Sequence, residues 1–204
     1  MKSHSDLTAR PRLIGLCGPA GAGKSAAARM LFEDHGFCLV SFAKPIKIML
    51  RALLDYCDED KGVIERMLSG DLKEVPAEAF FGATPRQALQ TLGTEWGRVQ
   101  ISPGLWRRIA MDRAKGVLDL GGRVVIDDVR FLNEFAAIWD QRDAQGRPIG
   151  DIWRLEGRGG LADPAAAAHL SEGAAVDPDM VLRNDGTRAD LRALIAAEFE
   201  TGAA

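Results

Sequence analysis

The sequence predicts an α/β fold in which a parallel sheet is covered by helices on both faces. Three observations carry this. Short apolar runs alternate along the chain with longer stretches of helical period, the pattern that builds crossovers between parallel strands. The first run, Leu13-Ile14-Gly15-Leu16-Cys17, leads directly into Gly18-Pro19-Ala20-Gly21-Ala22-Gly23-Lys24-Ser25. That octet satisfies G-x-x-x-x-G-K-[ST] at every fixed position. Finally, Arg123-Val-Val-Ile-Asp127-Asp128 reads as a buried strand ending in carboxylates.

The octet dictates a chemistry. Glycines let the backbone curl with its N–H groups inward, and no Cβ blocks an approaching phosphate. The helix that starts near Lys24 adds unpaired N–H donors and the positive end of its dipole. The four fixed positions should match by chance in about one chain of this length in a hundred, and the strand before and helix after make chance less likely still. The expectation is a three-layer P-loop NTPase fold. A nucleoside triphosphate is expected on Gly18, Ala20, Gly21, Ala22, Gly23, Lys24, Ser25 and Ala26. Lys24 is expected to reach the β/γ-phosphates, and the Ser25 hydroxyl to ligate Mg²⁺.

Composition sets the outer limits. The 204 residues suit a single domain spanning 1–204 with a real core. A net charge of −3 argues against wrapping long nucleic acid. No apolar run approaches membrane length, and the polar opening MKSHSDLTAR lacks a signal-peptide core, so no membrane partner and a cytoplasmic location are expected. Cys17, Cys38 and Cys57 show no metal-ligand spacing and are read as buried thiols.

In order, the chain reads as follows. Residues 1–11 are a loose tail. A strand at 12–17 precedes a helix from Lys24 to about 34, stopped by Gly36. Phe37 to Phe42 is a second buried strand. Lys44-Pro45 opens a helix whose residues Ile46, Met49, Leu50, Leu53, Leu54 and Cys57 keep a 3.6-residue spacing. From 58 to 82 the pattern weakens to short helices and loops. Thr84-Pro85-Arg86-Gln87 is a strong helix start, with a Thr cap and Pro at the first position. Beyond it Leu89, Leu92, Trp96 and Val99 are expected to face the core. Arg86, Gln90, Thr94 and Arg98 form a polar stripe. Ser102-Pro103 begins a helix to about 120. After the strand at 123 come a helix from Asn133 to about 142, a polar turn to 150 and a fourth strand at about 150–155. The stretch 157–178 is Gly- and Ala-rich and reads as mobile. A fifth strand at 180–182, the turn Asn184-Asp185-Gly186-Thr187 and a Thr187-capped helix end the chain. No repeat and no linker is evident.

Further residues extend the site beyond the loop. The strand end Ile126-Asp127-Asp128 resembles the element whose carboxylate holds the Mg²⁺ water shell opposite the loop hydroxyl of Ser25. Neighbouring strand residues face opposite ways, so Asp127 and Asp128 should do different jobs, one serving the metal and the other Arg130 or an acceptor. Lys44, Lys47 and Arg130 fall at or just beyond strand C-terminal ends, where open α/β sheets bind ligands. Arg154 and Arg158 frame the Gly/Ala-rich stretch, from which an arginine can offset charge on a transferring phosphoryl group.

Five strings then suggest a family. They are Ser41-Phe42-Ala43 with Lys47; Thr84-Pro-Arg86-Gln87-Ala-Leu-Gln90-Thr-Leu-Gly93-Thr94-Glu95; Asp128-Val-Arg130-Phe131 with Asn133-Glu134; His169-Leu-Ser171-Glu172; and Asn184-Asp185-Gly186. Together they resemble the deoxynucleoside monophosphate kinases of bacteriophages and prophages, from about residue 12 to 195. The resemblance implies transfer of the ATP γ-phosphoryl group to a deoxynucleoside 5′-monophosphate. It also implies a five-stranded parallel sheet of order 2-3-1-4-5, a helical acceptor-binding region (58–100) and a lid (156–178). Acceptor-site candidates are Ser41, Lys44, Lys47, Arg86, Gln87, Gln90, Arg98, Asp128 and Arg130. Arg154 and Arg158 become lid candidates that act with Lys24 in catalysis, Ser25 and Asp127 flank the metal, and Asn184 and Gly186 lie beside adenine. Two departures stand out: Lys44 replaces an expected acid, and the 143–150 turn is long. Two alternatives remain open, a dephospho-coenzyme A kinase-like enzyme and a nucleotide-binding switch or assembly ATPase without a small acceptor. Base preference and dimerisation also stay open.

Overall fold

A computed structural model describes residues 11–157 and 176–200. The chain divides into two compact units, one of Met1–Ser41 with Ala110–Ala204 and one of Phe42–Ile109.

The first unit holds the sheet: β1 (Leu13–Cys17), β2 (Phe37–Val40), β3 (Arg123–Ile126), β4 (Gly150–Gly157) and β5 (Met180–Asn184). Every pairing is parallel and the strand order is β2-β3-β1-β4-β5, as the resemblance implies. β1 is therefore central, which is why all five of its residues are buried. Its alternation divides the helices between the two faces. Ile14 and Leu16 join the core formed with α1 (Lys24–His35) and the C-terminal helix, here α7 (Arg188–Glu200). Gly15 lies on the other face under α6 (Leu132–Trp139), where a Cβ would come within 2.5 Å of Ile138 Cδ1. Helices, sheet and helices make the three layers.

The second unit contains α2 (Lys44–Tyr56), α3 (Lys61–Ser69), two single 3₁₀ turns, α4 (Pro85–Gln90) and a π-helical stretch (Thr91–Ile101). α5 (Leu105–Asp119) begins here, and its residues from Ala110 belong with the first unit. A small core of Leu50, Leu54, Ile64, Met67 and Leu68 holds α2 to α3. The Thr84 hydroxyl accepts from Gln87 N at 3.1 Å, forming the expected cap.

Four expectations need correction. The stretch after Thr91 winds as a π-helix, with Ser102 N donating to Gly97 O at 3.0 Å. Its wider turn breaks the 3.6-residue spacing and buries Gly93 and Gly97 in place of Trp96 and Val99, the latter 75% exposed. Both glycines meet Trp106, whose Nε1 donates to Gly93 O at 2.7 Å, and a Cβ on Gly97 would come within 2.4 Å of its ring. Second, β2 ends at Val40 and is an edge strand, so Cys38 and Leu39 lose cover on one side. Cys38 and Cys57 are exposed; of the three free thiols only Cys17 is buried. Third, α6 ends at Trp139 because Arg142 folds back to donate to the carbonyls of Trp139 and Gln141. Fourth, β4 runs on to Gly157. Arg158, His169, Ser171, Glu172 and most of the 156–178 expectation lie outside the described residues. No helix among the described residues is long and apolar enough to cross a membrane.

Candidate active site

All five strands deliver residues to the C-terminal edge of the sheet. At its centre β1 passes into the glycine loop, and the loop's backbone explains its sequence. Gly18 and Gly23 take φ of 125° and 99°, conformations that a side chain would strain. A Cβ on Gly18 would sit 2.3 Å from Leu155 O, so β4 packs directly beneath the loop. Gly23 caps α1, whose first turn carries no acid to compete with a bound anion.

Lys24 lies over the loop, its Nζ donating to the carbonyls of Gly18 at 2.8 Å and Pro19 at 2.7 Å. Burial pushes its pKa down, and the charge of Arg130 pushes it further, while Cys17, Asp127 and Asp128 oppose the shift. Two cations held close enough to disfavour each other mark a place that an anion stabilises.

β3 ends at Ile126, so the two carboxylates fall just beyond the strand, where its alternation no longer applies, and they part to different partners. Asp127 Oδ2 faces Ser25 Oγ at 3.5 Å, and Asp128 Oδ2 accepts from Ser41 Oγ, just beyond β2, at 2.8 Å. A hydroxyl and a carboxylate oxygen are hard donors that suit Mg²⁺, which takes its remaining ligands from phosphates and water. The donor set fits that ion, which Ser25 and Asp127 would hold were it bound. Among the described residues no group of three or more His, Cys, Asp or Glu forms a metal-binding cluster.

Arg130 follows on a short loop fixed by Glu134, a buried acid only 2% exposed. Glu134 Oε2 accepts from Arg130 N at 2.8 Å and Phe131 N at 3.1 Å. The "DVRF-x-NE" string thus has a physical content that its sequence did not disclose: the acid anchors the backbone that carries the arginine. Glu134→Ala leaves both donors without this acceptor. It should cost about 1–3 kcal/mol in urea unfolding, and a loss below half a kcal/mol would refute the anchoring role.

Arg154 lies within β4, registered opposite Cys17. Burial raises the pKa of the Cys17 thiol and the neighbouring Arg154 pulls it back, while Arg154 Nη2 donates to Val176 O. It is therefore held to the sheet at the base of the loop. At the end of β5, the Asn184 amide turns toward the loop, with Nδ2 donating to Ala22 O at 3.0 Å. Gly186 follows in the turn before α7, where Asp190 and Thr187 cap each other.

The sheet edge thus gathers Gly18 through Ala26, Ser41, Asp127, Asp128, Arg130, Arg154 and Asn184. The other acceptor candidates belong to the second unit. Lys44 opens α2, and Lys47 Nζ donates to Ser69 Oγ at 3.0 Å. Arg86 is paired with Glu74, Gln90 ends α4, and Arg98 lies on the π-helical stretch. Gln87, with Thr91, supplies polar groups to a mainly apolar cavity of about 470 Å³ that includes Met49, Leu53, Phe80 and Trp96.

Fold and loop together define an α/β protein of the P-loop fold. No protein-family model matches the chain. It is 39% identical over 132 residues to a protein of Acanthamoeba polyphaga mimivirus named "Putative deoxynucleotide monophosphate kinase". That match takes in 60% of this chain and 65% of the viral protein's length. Among solved structures, dephospho-CoA kinase from Campylobacter jejuni superposes with a TM-score of 0.50 at 14% identity, over 93% of this chain and 96% of that one. A sugar kinase from Janibacter sp. HTCC2649 gives 0.47 at 15% identity, over 93% and 95%. At 14% identity the Campylobacter jejuni match speaks to the fold alone.

Proposed function

We propose that the protein transfers the γ-phosphoryl group of ATP to a deoxynucleoside 5′-monophosphate, yielding the diphosphate. The observation that carries this is the single sheet edge holding a phosphate-shaped loop, a hydroxyl–carboxylate pair and a second cation, Arg130, beside Lys24. The name of the viral relative supports the acceptor class.

In this reading Lys24 exchanges its two loop carbonyls for the β/γ-phosphates, and the loop amides hold them. Ser25 and Asp127 would hold Mg²⁺, which would supply neutralisation of the phosphate charge. Ser41, Asp128 and Arg130 serve the acceptor, Arg130 through the planar fork that matches a phosphate. Lys44, Lys47, Arg86, Gln87, Gln90 and Arg98 are further acceptor candidates, while Arg154 and Arg158 are candidates to offset charge on the transferring group. The acceptor phosphate needs no strong general base, so catalysis rests on in-line placement and electrostatics.

The test is ATP turnover with and without a panel of deoxynucleoside monophosphates. Stimulation by one or more of them, with the matching diphosphate appearing, is expected. Turnover indifferent to every monophosphate overturns the reading and points to a switch-type ATPase; phosphorylation of dephospho-coenzyme A instead reassigns the acceptor.

A further inference from the structure

We infer that Asn184 is a positioning residue of the phosphate loop, which acts by fixing the peptide plane between Ala22 and Gly23 so that the Gly23 N–H points at the bound phosphate. The inference rests on the loop being a polyphosphate site, and it gives Asn184 a role other than contact with adenine.

A trans peptide holds its C=O and N–H on opposite sides of one rigid plane. Asn184 Nδ2 takes the Ala22 carbonyl at 3.0 Å from outside the loop. The N–H of the same peptide, that of Gly23, must then point away from Asn184. Gly23 is also where rotation has to be prevented. Its φ of 99° lies in a region where glycine has alternatives of similar energy, so the loop does not fix this plane by itself.

The contact is close as well as directional. A Cβ on Gly23 would come within 2.4 Å of Asn184 Nδ2, so the absence of a side chain at residue 23 serves the asparagine as much as the phosphate. The asparagine is itself well supported. It is the last residue of β5, registered opposite Gly157 of β4, and a Cβ on Gly157 would meet Asn184 O at 2.3 Å. A rigid sheet thus braces the loop from the end of the chain, the arrangement that keeps a preorganised donor from relaxing before the ligand arrives.

Two exchanges test the bond, an isosteric one that also adds a negative charge and a truncation that removes the bond without adding charge. In Asn184→Asp the donor becomes a carboxylate oxygen facing the Ala22 carbonyl, so the peptide plane is repelled and not held. Asn184→Ala removes the bond and leaves room for water. Affinities of Mg²⁺·ATP and Mg²⁺·tripolyphosphate, the latter having no base or sugar, are measured by calorimetry on the full chain, with thermal melts as a fold control. Asn184→Asp is expected to weaken both ligands by the same factor, about tenfold or more, and Asn184→Ala to weaken both by less. Loss confined to ATP, with tripolyphosphate bound as in the wild type, overturns the inference in favour of a nucleoside contact. Wild-type affinity for both ligands in either variant overturns it too. Should the Asp variant fail to fold, Asn184→Ala decides by the same comparison. The acceptor plays no part in these measurements, so a wrong acceptor class leaves the result standing. A wild type that binds neither ligand removes the loop reading and this inference with it.

Discussion

Lys24→Ala should lower phosphoryl transfer by at least about 10²–10³-fold, the loss typical when a preorganised electrostatic group is removed from a transferring centre. The fold should survive, because the partners that Lys24 loses, the carbonyls of Gly18 and Pro19, belong to a part-buried loop that water can reach. Residual activity within threefold of wild type, in protein with an unchanged melting curve, would contradict the assignment.

The same residue gives a pH dependence. Its folded-state pKa lies below the ordinary 10.5, first from burial and next from the Arg130 charge. As pH rises through that lowered value, free protein loses the ammonium while the unfolded chain still keeps it. Between the two values the unfolded state binds more protons, so this group's contribution to stability increases with pH there. It is a cost at neutral pH, relieved in the alkaline range. ATP affinity runs the other way. The ligand needs the ammonium, so binding should weaken across that alkaline window and draw a proton from solution. Isothermal titration in two buffers of different ionisation enthalpy measures the uptake. Lys24→Ala should show neither effect; an unchanged pH profile in the variant would mean that another group is titrating.

Trp106→Ala should rank among the most damaging single changes to stability, at about 3–5 kcal/mol. The indole is 2% exposed, and its Nε1 satisfies the Gly93 carbonyl inside the second unit. Removing it opens a cavity against Gly93 and Gly97 and leaves that carbonyl without its donor. Trp106→Phe keeps most of the volume and loses the bond, so a smaller loss of about 1–3 kcal/mol is expected. Urea unfolding followed by far-UV circular dichroism separates the two. An alanine variant within 1 kcal/mol of wild type would show that the glycine face is not the support of this helix.

These three-dimensional dependencies show where reading the chain succeeded. The glycine loop, the strand leading into it and the helix after it were legible because each is a local rule: a short apolar run, a fixed spacing and a cap. The cap on α4 at Thr84 and that on α7 at Thr187 were legible for the same reason. The stretch from Leu89 to Val99 was not. Its apolar residues fit an α-helical period, and nothing within it announces that Trp106, packing on two glycines, is accommodated by a wider winding.

What the sequence by itself determined is the glycine loop between its strand and helix and the alternation that yields a parallel sheet, since both depend on neighbours within a few residues. Only the tertiary structure decided which thiols are buried, which acid anchors Arg130, and that Asn184 braces a loop 162 residues away. The reason is physical. Strand order puts β2 at an edge and brings the end of β5 to the loop, and contacts made across a sheet leave no spacing in the chain from which they could be read.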